Sequence, residues 1–175
     1  MKGPRATPGE RRAKCMQAVV DYLGRPDTTT VSFLAAAPNG SGLGKQTLAI
    51  RYKTVDMMLM DLVAYTEESL VSITDQIEAA GLPPNITAAR VVAAVLQFAK
   101  KNPGLSRLLA SDTIFLNAPR ARERVDNLLN WLGTLTGDAF MDLVVGRLRR
   151  YITSGFSHDP TYDLDEVLNL LEPLW

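Results

Sequence analysis

Apolar residues recur along this chain at intervals of three and four, seldom two. Met16, Val19, Val20 and Leu23 form the first such stripe, the mark of one face of a helix. It predicts a helix over residues 10–23, stopped by Gly24-Arg-Pro26. Thr28, Thr29 and Thr30 offer N-caps for a second helix over 31–37. Pro38-Asn-Gly-Ser-Gly-Leu-Gly44 reads as a turn, with a short helix after it over 45–53. A helix, a short helix, a glycine-containing turn and another short helix give the order of a helix-turn-helix module. Residues 1–8, with Gly3, Pro4 and Pro8, read as an arm.

The rest of the chain keeps the same period. A long helix is expected over 55–80, with Met58, Leu59, Leu62, Val63, Tyr65, Leu70, Ile73 and Ile77 as its apolar face. Gly81-Leu-Pro-Pro84 stops it, and residues 87–101 form the next. Pro103-Gly104 then separates that helix from a short apolar one over 105–109, proline being suited to a first helical turn. Further helices are expected over 119–135, 138–154 and 163–171. No segment sustains period-two alternation. The expectation is an all-α chain of about nine helices, with a helix-turn-helix domain over 1–53 and a helical regulatory and dimerisation domain over 54–175. The apolar stripes of the last two helices, with Trp175, suggest an interface with a second copy, a homodimer.

Composition narrows the function. At 175 residues and 46% hydrophobic the chain can fill one sizeable core, or a small domain joined to a larger one. No apolar run approaches the roughly 18 residues that span a bilayer, and the first ten residues hold no apolar leader segment, so no membrane association is expected. A single cysteine, Cys15, excludes an internal disulfide, suits a reducing cytoplasm and reads as a packed residue. Net charge is zero but unevenly spread: residues 1–53 carry nine Lys/Arg against Glu10, Asp21 and Asp27, a surplus of +6, and the remainder balances it. A basic third on an acidic body is the footprint of a polyanion-binding module.

Candidate chemistry points the same way. Asn39 and Gln46 stand where a phosphate loop needs glycine and Ser or Thr, so nucleotide binding is not expected. His158 is the sole histidine, without a ligand set around it, and no nucleophile–base arrangement can be assembled. Glu67-Glu68 lies on a helix face with no base motif near it. No enzyme activity, metal or cofactor is expected. Thr29, Thr30, Lys45, Gln46, Thr47, Arg51, Tyr52 and Lys53 are the candidate DNA-binding residues, for phosphate and some base-edge contacts.

The chain also resembles a known family. Asn102-Pro-Gly-Leu-Ser-Arg-Leu-Leu109 and Arg122-Glu-Arg-Val-Asp-Asn-Leu-Leu129 are similar to segments of the SlmA-type nucleoid-occlusion factors, a branch of the TetR-like DNA-binding dimers. Pro8-Gly-Glu-Arg-Arg12, Met58-Leu-Met-Asp-Leu-Val63, Glu67-Glu-Ser-Leu70, Gly146-Arg-Leu-Arg-Arg-Tyr-Ile152 and Pro160-Thr-Tyr-Asp-Leu-Asp165 extend the likeness over most of the length. The resemblance implies a TetR-like fold and a cytoplasmic, nucleoid-associated homodimer on double-stranded DNA. It also implies binding of the C-terminal tail of the division protein FtsZ and inhibition of FtsZ assembly over the nucleoid. The positions matching the family's tail groove are Tyr65, Ala94, Gln97, Lys101 and Asn102; an aromatic, an apolar helix face and a cation suit an acidic, apolar peptide. The recognition helix departs from the family's Leu-Tyr-Arg-His-Phe, reading Leu48-Ala-Ile-Arg-Tyr52, and the turn before it is about three residues longer. The alternatives are a TetR-type transcriptional repressor sensing a small apolar ligand, and a diverged homologue that has lost DNA specificity.

Overall fold

The computed structural model of the chain describes residues 7–32 and 45–171. Among them are eight α-helices and one 3-10 turn: α1 Pro8–Leu23, α2 Lys45–Arg51, α3 Val55–Glu78, α4 Pro84–Lys101, α5 Pro103–Ala110, the turn Thr113–Phe115, α6 Pro119–Thr136, α7 Asp138–Thr153 and α8 Leu164–Leu171. The described residues form no strand, and the all-α expectation stands.

Local chemistry explains the helix starts. Thr7 accepts from the Glu10 amide at 3.2 Å while the Glu10 carboxylate accepts from the Thr7 amide at 2.6 Å, a reciprocal capping box. These bonds favour the ionised Glu10 and hold its carboxyl below the ordinary glutamate range. Thr54 caps α3 through the Met57 amide at 3.1 Å. Proline occupies the first turn of α1, α4, α5 and α6. Between α6 and α7 stands Gly137 alone, at φ +89°, a region where a side chain would be strained.

Several boundaries differ from the sequence expectation. Helix α4 begins at Pro84, three residues before Thr87, because this proline serves as a first-turn residue instead of closing the loop. Helix α2 ends at Arg51, ahead of Lys53. The helix expected over 31–37 does not include Val31 and Ser32, which carry no regular structure; 33–37 lie outside the described residues, as does the turn 38–44.

The centre of the molecule is α5, every residue of which from Gly104 to Ala110 is buried. It lies between α1 and α7, while α3 packs on α6 and α4. Met16, Leu23, Leu59, Leu62, Leu96, Leu108, Leu132 and Leu148 are fully enclosed, each such side chain giving about 1.5–3 kcal/mol. One hydrophobic cluster runs from Cys15 through Leu48 and Tyr52 to Leu164. The break between α2 and α3 therefore interrupts the helices but not the core. On α7 the apolar stripe Phe140, Val144, Leu148 and Tyr151 is buried within the chain itself. Asp56 of α3 accepts from the Ala121 amide at 2.9 Å, meeting an otherwise unpartnered donor at the start of α6.

Candidate nucleic-acid interface and partner cleft

The basic N-terminal segment is held to itself after α1 and tied to the body at the end of α2. After α1 the chain turns at Gly24, and the Thr28 hydroxyl donates to the Tyr22 carbonyl at 2.9 Å. The Tyr22 hydroxyl donates to the Thr30 carbonyl at 3.2 Å, and the Arg25 guanidinium lies 5.5 Å from the Tyr22 ring centre. Thr29 and Thr30 are exposed on this turn. Lys45, Gln46 and Thr47 make the first turn of α2, and Leu48 seats the helix in the core.

At the other end of α2 the side chains form a chain of contacts into the body. Arg51 Nε donates to Tyr52 Oη at 3.1 Å, and its guanidinium sits 5.6 Å from the Tyr52 ring centre. Tyr52 Oη donates to Asp61 Oδ2. Asp61 Oδ1 accepts from Arg12 Nε at 2.8 Å, and Arg12 Nη1 reaches both Glu68 oxygens at 3.0 Å. Arg12 also lies 5.9 Å from the Tyr65 ring centre. The structure thus places Tyr52 in the core, 5% exposed, while Arg51 and Lys53 face solvent. Burial, then the bond to Asp61, pushes the Tyr52 phenol well above its ordinary value. The carboxylates Glu67 and Glu68 are struts: Glu67 accepts from Arg124 of α6 at 2.7 Å, Glu68 from Arg12 of α1.

Of the residues matched to the tail groove, Tyr65, Lys101 and Asn102 lie beside α1. Ala94, Gln97 and Lys101 share one face of α4 by their spacing. Gln97 and Lys101 are exposed, whereas Ala94 is half-buried. Lys101, Asn102 and Pro103 line a cleft of about 210 Å³ whose other wall is Gln17, Val20, Asp21 and Gly24 of α1 and its turn. The Asn102 amide is spent on the α4 end, donating to the Phe98 carbonyl at 2.9 Å. Tyr65, half-buried on α3, meets α1 nine residues before Asp21, at Arg12. At 1.5 Å per residue that separation is roughly 13 Å, a span suited to a short peptide.

Two residues that pattern reading overlooked hold α1 against this cleft. Gly104 brings α5 so close that a Cβ there would stand 2.0 Å from the Val20 carbonyl oxygen. Arg107, 4% exposed, donates to the Arg25 carbonyl at 3.0 Å and lies 5.2 Å from the Phe156 ring centre. Burial lowers its pKa from the ordinary arginine value, opposed by the charge of Asp27. The Leu105, Leu108 and Leu109 spacing marked this helix as apolar; nothing in a linear pattern marks an arginine that points inwards.

Known proteins are similar to this chain over most of its length. No protein-family model matches the chain. Nucleoid occlusion factor SlmA of Vibrio cholerae serotype O1 is 25% identical over 183 residues, covering 92% of this chain and 93% of its own length. SlmA of Vibrio campbellii is 23% identical over 98% of this chain and 97% of its own. SlmA of Marinobacter nauticus is 24% identical over 94% and 96%. The chain is similar to SlmA nucleoid occlusion factors over most of its length, and its all-α architecture is consistent with a TetR-like fold.

Proposed function

We propose that this protein is a nucleoid-occlusion factor of the SlmA type, a regulator of cell division that binds double-stranded DNA as a homodimer and restrains FtsZ over the nucleoid. The observation that carries this reading is the end-to-end similarity to SlmA, which spans both the basic N-terminal third and the helical body. In this reading the module over 1–53 contacts DNA. Thr29, Thr30, the first turn of α2, Arg51 and Lys53 supply the contacts, with Tyr52 behind them. The body over 54–175 holds the C-terminal tail of FtsZ between Tyr65 and Lys101. Electrostatics support it: the surplus of +6 in residues 1–53 draws a polyanion, and exposed Lys101 offers a cation to an acidic peptide.

The direct test is titration of a labelled FtsZ tail peptide. Lys101→Glu places a like charge against the peptide and should weaken binding about tenfold, with the thermal transition unchanged because Lys101 is exposed. Undiminished affinity in that variant would remove the residue from the groove.

A second reading, a repressor answering to a small apolar ligand, rests on a cleft of about 350 Å³ between α4, α7 and α8. Its lining includes Ile86, Ala89, Phe140 and Leu168. That volume suits a small molecule.

A further inference from the structure

We propose that Tyr52 and Asp61 are positioning residues for DNA binding: they hold the Arg51 guanidinium at the protein surface, oriented for a backbone phosphate of the duplex. The inference rests on the DNA-binding reading above and adds to it which side chains make the contact effective.

A surface arginine is a poor phosphate ligand when its long side chain must be ordered on binding, at a cost of up to about 2 kcal/mol. Arg51 is already ordered. Its guanidinium lies over the Tyr52 ring at 5.6 Å, and Nε donates to Tyr52 Oη at 3.1 Å. One N–H of the guanidinium is spent in this way, and among the described residues the Nη groups make no hydrogen bond. The direction of each bond is forced by chemistry. Arg51 can only donate and the Asp61 carboxylate can only accept, so the phenol accepts from the first and donates to the second. Asp61 is itself held by Arg12 at 2.8 Å, and Arg12 by both oxygens of Glu68 at 3.0 Å. The anchor therefore reaches from α2 through α3 to α1.

The arrangement also preserves charge. Asp61 is paired with Arg12, not with Arg51. Among the described residues no ion pair includes Arg51, whose side chain is exposed. The phenol serves as a spacer: it fixes the guanidinium without setting a carboxylate against it. Tyr52, 5% exposed, has no free face for a phosphate of its own.

The test measures binding of a short labelled DNA duplex by fluorescence anisotropy at low and moderate salt, for the full chain and for Tyr52→Phe, Asp61→Asn, Arg51→Ala and the Arg51→Ala/Tyr52→Phe double variant. Circular dichroism melting accompanies each. Tyr52→Phe and Asp61→Asn are each expected to weaken binding about fivefold. The double variant should bind no more weakly than Arg51→Ala alone, because the phenol acts through Arg51. A further loss in the double variant, equal to that of Tyr52→Phe alone, would make Tyr52 a structural residue and overturn the proposal. Arg51→Lys keeps the charge and the fold but loses the Nε bond. It should lose most of the Arg51 contribution, and native affinity in that variant would also overturn the proposal. Unchanged binding by Tyr52→Phe defeats this inference alone, whereas absence of duplex binding by the native chain at low salt defeats both it and the DNA-binding reading.

Discussion

Gly104 shows how one missing methyl group sets the position of a helix. A Cβ at this residue would meet the Val20 carbonyl oxygen at 2.0 Å and its carbonyl carbon at 2.8 Å. Both atoms are backbone, so no side-chain rotation relieves the clash, and α1 would have to move. Gly104→Ala is therefore expected to destabilise the protein by about 1–3 kcal/mol. Urea unfolding checks it, and an unchanged midpoint would mean that α1 shifts freely on α5. The sequence announces this glycine only as part of a Pro-Gly stop. Its actual reason is a helix more than eighty positions earlier, which no local pattern displays. Tyr52 teaches the same lesson. Its place beside Arg51 and Lys53 invites a surface contact, and only Asp61, on the next helix, explains why its hydroxyl turns inwards. Cys15, by contrast, was legible as a packed residue on an amphipathic helix, with no histidine partner near it in the sequence, and it is buried. Desolvation raises its thiol pKa, which makes it a weak nucleophile at neutral pH.

Helices were the most legible level, since proline and glycine punctuate this chain at nearly every boundary. Where a boundary moved, as at Pro84, the reason was that proline can open a helix as well as end a loop. The loop between α7 and α8 was less legible, because its order comes from distant partners. Lys100 Nζ donates to Asp159 Oδ2 at 2.5 Å and to the Thr161 hydroxyl at 3.3 Å. Arg147 donates to the Pro160 carbonyl at 3.1 Å and to the Tyr162 carbonyl at 2.7 Å. The Lys100 bond, followed by the Thr161 hydroxyl and amide, lowers the Asp159 carboxyl from 3.8 to about 2. A carboxyl depressed on folding stabilises the native state fully above its unfolded value. That contribution fades as pH falls from about 4 towards 2. Because the pair is partly exposed, the effect is screened by solvent and salt. Melting temperatures measured between pH 5 and 2 should fall less for Asp159→Asn than for the native chain. Parallel curves would show that this pair adds nothing to acid stability.

Over the whole molecule, charge and connectivity carry the functional argument. Nine basic residues sit in the first 53, and one of them, Arg12, reaches Asp61, Glu68 and the Tyr65 ring together. The fold joins the basic segment and the candidate partner cleft through α1, which forms one wall of that cleft and is clamped by Gly104 and Arg107. The all-α class and the basic-to-acidic split were readable from pattern and composition. The shared wall was not, because it depends on packing between helices far apart in the chain. One measurement tests the account most directly: anisotropy of a labelled duplex carrying a SlmA-type palindrome, against a scrambled duplex, across a salt series. The account predicts tighter binding to the palindrome that persists at moderate salt, with log affinity falling linearly against log salt as phosphate contacts are lost. Equal, weak binding to both duplexes that vanishes with salt would contradict it, and would leave a helical protein-binding body beside a basic segment without sequence readout.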